Sequence, residues 1–191
     1  IYALAASGFS LVYYVVKFLN FAQGAIITMS AYAFFFFMNS FGASYIISGM
    51  LAMTVSMLII LIMNFLVYKP LRKRKATNVV TLIASLALLV FSSSFVLALF
   101  GASTKTLPLG SINKTFDFGI FTITKFQIAI ILITLLLFFA LFLLIKKTKL
   151  GKAMRAVADN KDVSKIVGIN PEKVYAYTFV IASVLGAIAG I

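Results

Sequence analysis

Cysteine and histidine are absent from the 191-residue sequence, and only four carboxylates occur: Asp117, Asp159, Asp162 and Glu172. Without cysteine there is no disulfide, no thiolate nucleophile and no Cys-ligated metal. All four carboxylates fall outside the apolar runs, so no span carries the acid or imidazole expected of a proton-coupled carrier. Nucleophile–base pairs need His, Lys or a carboxylate near Ser or Thr, and the apolar runs supply none. No Walker glycine loop occurs either, so ATP is not hydrolysed on this chain. These absences argue against an ion-coupled carrier and a membrane enzyme. They leave a solute path driven from elsewhere, or a passive channel or carrier. No cofactor and no metal is expected.

Apolar residues are abundant. They make up 63% of the sequence, and the mean hydropathy is +1.12. No water-soluble domain of this size needs so much apolar surface, so the chain is read as an integral membrane protein. The apolar runs are long and do not alternate, which predicts helices and not a barrel. The expected fold is all-α: one polytopic transmembrane bundle over 1–191, with about six apolar segments. The net charge of +13 raises nucleic acid as a partner, but its placement argues otherwise. Thirteen of seventeen basic residues lie in two loops, 69–75 (Lys69, Arg72, Lys73, Arg74, Lys75) and 146–173 (Lys146, Lys147, Lys149, Lys152, Arg155, Lys161, Lys165, Lys173). This is the positive-inside pattern. It puts both loops in the cytoplasm and 102–125 outside.

In chain order, Ile1–Val16 is apolar, with Ser7, Ser10 and Tyr14 at about one-turn spacing. Lys17–Gly24 interrupts the pattern, which resumes over Ala25–Met38. Neither flank reaches the roughly 20 residues of a full span. Two readings stay open for 17–24: a cytoplasmic turn, or a break at membrane depth flanked by half-helices. A polar turn at Asn39–Ser44 precedes a span over Tyr45–Val67, whose Ser48, Ala52 and Ser56 form a close-packing row. Tyr68 is expected at the membrane interface, and Pro70 is expected to keep the preceding helix from simply continuing. Ala76–Gly101 spans again, with Thr81, Ser85 and Ser92 on one face. That stripe serves either interhelical hydrogen bonds or a substrate path. Phe116–Thr124 reads as a short hairpin or a segment lying on the membrane surface. Phe126–Ile145 reads as a lipid-facing span. The last segment, from Val174, repeats Ala182, Gly186 and Gly190 every four residues, again a close-contact face.

The longest polar stretch, Leu150–Lys173, is not loop-like. Met154, Val157 and Ala158, then Val163, Ile166 and Val167, recur at helical spacing. Asp159-Asn160 predicts a break between two short helices. Gly168 is placed where a helix ends in the left-handed conformation. Asn170-Pro171 reads as an N-cap followed by Pro at the first helical position. A basic amphipathic segment between spans either docks on a cytosolic subunit or only sets topology and rests on lipid headgroups. The docking candidates are Gly151, Lys152, Met154, Arg155, Val157, Ala158, Val167 and Gly168. Met154 and Val157 are expected to enter a partner groove, with Arg155 and Lys152 at its rim. Gly151 permits either close approach to the partner or a bend away from the preceding span.

Several ordered motifs resemble the permease subunits of branched-chain amino acid importers of the ATP-binding-cassette class. They are Tyr2-Ala3-Leu4, Leu11-Val12-Tyr13, Asn20-Phe21-Ala22-Gln23-Gly24, Ala31-Tyr32, Tyr68-Lys69-Pro70-Leu71-Arg72, Leu150–Ala158 and Gly168-Ile169-Asn170. The resemblance covers nearly the whole chain. It implies a multi-pass subunit of the cytoplasmic (inner) membrane, with no soluble domain. Its implied partners are a second permease subunit, identical or not, cytosolic ATP-binding subunits and an extracytoplasmic substrate-binding protein. It also implies that a C-terminal part is missing. Gln23 stands where the family usually has His, and Ser30 where it has Gly. Gln offers a donor and an acceptor but cannot titrate. An aliphatic amino acid is a zwitterion with an apolar side chain, so its path needs a polar cradle beside apolar walls. Asn20, Gln23 and Gly24, just before a helix at Ala25, either supply that cradle at a half-helix N-terminus or only fasten a turn. Phe18 and Phe21 would face the solute's side chain. The solute is expected to be a branched-chain or similar amino acid; a sugar or nucleoside is the alternative.

Overall fold

A computed structural model of the chain describes residues 1–103, 115–117 and 122–191. The described segments form α1 (Tyr2–Val16), α2 (Ala22–Phe41), α3 (Tyr45–Met63), a π-helical turn (Asn64–Tyr68), α4 (Lys69–Lys73) and α5 (Asn78–Phe100). Strands β1 (Thr115–Asp117) and β2 (Thr122–Thr124) follow, then α6 (Lys125–Lys147), α7 (Lys149–Asp159), α8 (Lys161–Ile166) and α9 (Pro171–Gly190). The two strands pair antiparallel, Phe116 opposite Ile123, in keeping with the hairpin reading of that stretch. The rest of the expected outer loop, 104–114 and 118–121, lies outside the described residues.

Among the described residues, five helical stretches are long and apolar enough to cross a membrane, and α1 is a shorter apolar helix. A bilayer core of about 30 Å needs about 20 helical residues. The second flank of the 17–24 interruption meets that need, against expectation. α2 takes in Ala22, Gln23 and Gly24 at one end and Asn39–Phe41 at the other, giving 20 residues. In lipid the helix is the cheapest way to pair those backbone groups, so polar side chains near its ends do not stop it. Gly42, at φ 59°, does.

The helix at 45–63 also continues further than expected. Pro70 does not end it; one π-helical turn carries it into α4, with the Lys69 N–H donating to the Asn64 carbonyl five residues back. Proline has no N–H and its ring crowds the carbonyl four residues earlier, so a locally widened turn accommodates it without a break.

α9 is the centre of the bundle. Leu4 of α1 packs against Leu185 and Ala189, and Phe18, just past α1, packs against Phe179. The two helices are therefore antiparallel. α2 turns back and runs along α9 in the same direction, Gln23 beside Ala182 and Ser30 beside Ala187. Small residues make this closeness possible. A Cβ at Gly190 would overlap the Ile27 carbonyl, and Ala182 is fully buried. The Ser48–Ala52–Ser56 row of α3 is wholly buried too, as a close-packing face requires. On α1 the packed face is Leu4, Gly8, Leu11, Val12 and Val15, not the Ser7–Ser10–Tyr14 stripe. α6 has no buried residue over 127–147, as a lipid-facing span should.

Candidate functional site

The break between α1 and α2 is five residues, Lys17–Phe21. Lys17 turns the chain with a left-handed φ of 64°. Three helices grip the residues after it. The Phe21 N–H donates to Ser85 Oγ (3.2 Å), and that hydroxyl also lies 3.3 Å from the Leu19 carbonyl. Tyr68 Oη donates to Asn20 Oδ1 (2.7 Å). Gln23 Nε2 donates to the Ala182 carbonyl (2.7 Å). Ser85 is seven residues into α5 and Ala182 eleven residues into α9. At 1.5 Å per residue they lie about 10 Å and 16 Å in from those helix starts. The break is therefore packed inside the bundle, well in from those helix starts, and is not a free surface turn. Its irregular backbone is tolerated because neighbouring side chains pair its polar groups.

The same contacts occupy the N–H groups expected to stand open in a cradle. The helix begins at Ala22, not Ala25, so Gln23 and Gly24 belong to its first turn. The N–H groups of Phe21, Gln23 and Gly24 are already engaged, by Ser85, the Asn20 carbonyl and the Phe21 carbonyl. Asn20 and Gln23 are buried fasteners, 0% and 3% exposed. Gln23 passes through a gap between two glycines. A Cβ at Gly8 would sit 2.9 Å from its Nε2, and one at Gly186 2.6 Å. Asn20 Nδ2 and Gln23 Oε1 are buried without a protein partner. Phe18 is buried between Tyr68 and Phe179, whereas Phe21 and Gly24 are exposed. Along the α5 stripe, Ser85 bonds the backbone of the break, Thr81 donates to the Thr77 carbonyl of its own helix, and Ser92 Oγ is buried and unpartnered.

The polar segment 148–171 folds as its sequence suggests. Thr148 caps α7 by accepting from the Gly151 N–H (3.0 Å). Asn160 separates the helices and caps α8. At its end the Gly168 N–H bonds the Lys165 carbonyl and the Ile169 N–H bonds the Ser164 carbonyl, a Schellman closure with Gly168 at φ 84°. Asn170 caps α9 with Pro171 at its start. Asp162 pairs with Lys165 at 2.9 Å, and that hydrogen bond and charge hold its carboxyl below the usual carboxylate range.

The docking candidates divide sharply. Met154, Val157 and Ala158 are 1%, 3% and 6% exposed, and Met154 and Val157 belong to the chain's own core with Tyr175 and Phe179. They cannot fill a partner groove in this arrangement. An amphipathic helix buries its apolar face against the nearest apolar surface, here α1 and α9. Gly151 makes a close approach, but to α6: a Cβ there would overlap the carbonyls of Leu144 and Ile145. Half-buried Arg155 donates to that same Ile145 carbonyl. Lys152, Val167 and Gly168 remain exposed, with Val163 and Ile166. The outward apolar patch is thus Val163, Ile166 and Val167 on α8.

Sequence reasoning missed a polar cluster joining the two basic segments. Arg72 holds Glu172 with two bonds, Nε to Oε1 (3.2 Å) and Nη2 to Oε2 (2.8 Å), and Nη2 also reaches Asn64 Oδ1 (2.8 Å). Its guanidinium lies over the Tyr175 ring, 5.0 Å from the centroid. Both basic segments therefore occupy one end of the bundle. Tyr68 is fully buried, not interfacial, because its hydroxyl finds Asn20 and its ring stacks on Phe179 at 5.3 Å. The signal available was Glu172 itself, one of four acids in a basic chain. Among the described residues no cluster of acids suited to a metal occurs.

Comparison with known proteins gives one consistent likeness. The family described as branched-chain amino acid transport system / permease component matches residues 1–191. The chain is 27% identical over 203 residues to the high-affinity branched-chain amino acid transport system permease protein LivH of Escherichia coli K12, covering 100% of this chain and 65% of that protein. It is 29% identical over 211 residues to BraD of Pseudomonas aeruginosa, a permease protein of the same description, with the same coverage. It is 30% identical over 194 residues to a probable branched-chain amino acid transport permease protein of Methanocaldococcus jannaschii, covering 98% of this chain and 60% of that one. The chain thus spans about two thirds of the length of these relatives. No solved structure matches it.

Proposed function

The chain belongs to the family of branched-chain amino acid transport system permease components, and from that membership we propose that it is a membrane-spanning subunit of an ATP-driven importer in the cytoplasmic membrane. The solute is a branched-chain or similar aliphatic amino acid. The match along the whole chain carries this reading. The α8 patch supports it: Val163, Ile166 and Val167 are 54%, 85% and 73% exposed on a helix flanked by lysines. A helix left with an apolar outer face beside a basic rim suits a cytosolic partner. That partner is an ATP-binding subunit; a second permease subunit and an extracytoplasmic binding protein complete the assembly. The solute path runs along the exposed side of the break, at Phe21 and Gly24.

The mechanism follows from the residues present. Displacement of α8 by a partner reaches α9 through four residues, Val167–Asn170, fixed by the Schellman closure and the Asn170 cap. Short, hydrogen-bonded connections transmit displacement that a loose loop would absorb. The test is uptake of labelled leucine by the complete complex in proteoliposomes, with ATP inside. Uptake that needs ATP and the ATP-binding subunits is expected; equal uptake without them would make the chain a passive carrier.

A further inference from the structure

The π-helical turn at Asn64–Tyr68 is wired at both ends. At its start, buried Asn64 accepts from Arg72, which grips Glu172 in the first turn of α9. At its end, buried Tyr68 donates to Asn20 in the helix break. Lys161, the first residue of α8, lies over the same Tyr175 ring as Arg72, 5.9 Å from the centroid. A chain of contacts thus leads from the arm through Tyr175 and Arg72 to Asn64, and through the backbone of the turn to Tyr68 and the break. We infer that Asn64, Tyr68, Arg72 and Glu172 are positioning residues that couple the cytoplasmic arm to the buried break through the register of the π-helical turn. This rests on the transporter reading for its purpose, but its structural content stands apart.

In this proposal the turn switches between the π-helical form of Asn64–Tyr68 and an α-helical form, the two arrangements a coupling element needs. Reverting it to α-helix removes one residue of register. That rotates the helix beyond the turn by about 100° and shifts it by about 1.5 Å relative to the helix before it. Arg72 and Tyr68 both lie at or beyond the turn's end, and Asn64 at its start. They cannot all keep their partners across the change. The Arg72–Glu172 fork is bidentate and charge-assisted, hence directional. Moving Glu172 therefore biases the register, and the register sets whether Tyr68 still holds Asn20. The rings of Phe18, Tyr68 and Phe179 pack together around this point, so the hydroxyl contact is not solvent-exchanged.

The test uses Tyr68→Phe, which keeps the ring and deletes only the hydroxyl, and Glu172→Gln, which keeps the size and deletes the charge. A spin label at Lys17→Cys, the one thiol in a cysteine-free chain, reads the break without reference to transport. Both substitutions should raise label mobility alike, and the pair should add nothing beyond either. An unchanged spectrum in Glu172→Gln overturns the inference. In the complete complex, leucine moved per ATP hydrolysed should fall about five-fold in each single variant, the worth of about one hydrogen bond. The double variant should also fall about five-fold, not by the roughly 25-fold product expected of independent sites. A product-like loss overturns the relay. If the unsubstituted complex moves no leucine, the solute assignment fails, and the label spectra alone decide the relay.

Discussion

At the scale of single residues, the break is held by atoms whose geometry leaves little slack. Gln23 threads between Gly8 and Gly186, and neither position has room for a methyl group beside its amide. Gly186→Ala should lower thermal stability in detergent, because crowding a packed core costs about 1–3 kcal/mol. Adding Gln23→Ala to that variant should recover part of the loss, since the colliding atom is gone; additive losses would place the strain elsewhere. Asp162 offers a second residue-level check. Its bond and charge from Lys165 depress its pKa, so its small contribution to α8 is present above the unfolded value and is lost as pH falls through the lower folded value. Carbon-detected titration should find Asp162 below a free Asp, and Lys165→Gln should bring it back.

At the scale of elements, α7 and α8 divide the work that the sequence seemed to give to one segment. α7 is an anchor. Met154→Ala should cost about 2–5 kcal/mol as a buried large-to-small change. Gly151→Leu should disturb the α6–α7 elbow by driving a side chain into the Leu144 and Ile145 carbonyls. Both should lower yield and melting temperature before they affect any partner. α8 is the contact. Ile166→Asp and Val167→Asp should leave melting unchanged while the ATP-binding subunit no longer co-purifies. Normal retention in both variants would reduce α8 to a topology signal.

At the scale of the whole molecule, the two basic segments meet at one end of the bundle through Arg72 and Glu172, and the positive-inside rule predicts that this end faces the cytoplasm. α5 then carries the chain 23 residues, about 34 Å, to the other end of the bundle. A single Cys at position 113 should react with an impermeant thiol reagent from outside, and one at position 73 only from the cytoplasmic side. Labelling of 113 from the cytoplasm alone would reverse the topology.

Much of this was legible in the sequence, because membranes and caps impose local rules. Apolar length predicted the spans, since every backbone group in lipid must pair within its own helix. Asn160, Gly168 and Asn170-Pro171 predicted the cytoplasmic helix ends, since a cap depends on the residues within one turn of it. Basic clusters predicted a shared end of the bundle. Tertiary structure alone decided the rest. Whether 17–24 was a turn or a buried break depended on Ser85, Tyr68 and Ala182, which are 64, 48 and 159 residues away from their partners in the break. Which apolar stripe faced a partner depended on α7 finding α1 and α9 first. Pro70 marked a helix stop by local rules, yet a π-helical turn and the Arg72 contacts carried the helix past it. Periodicity specifies a face, but only the packed neighbours determine what that face meets.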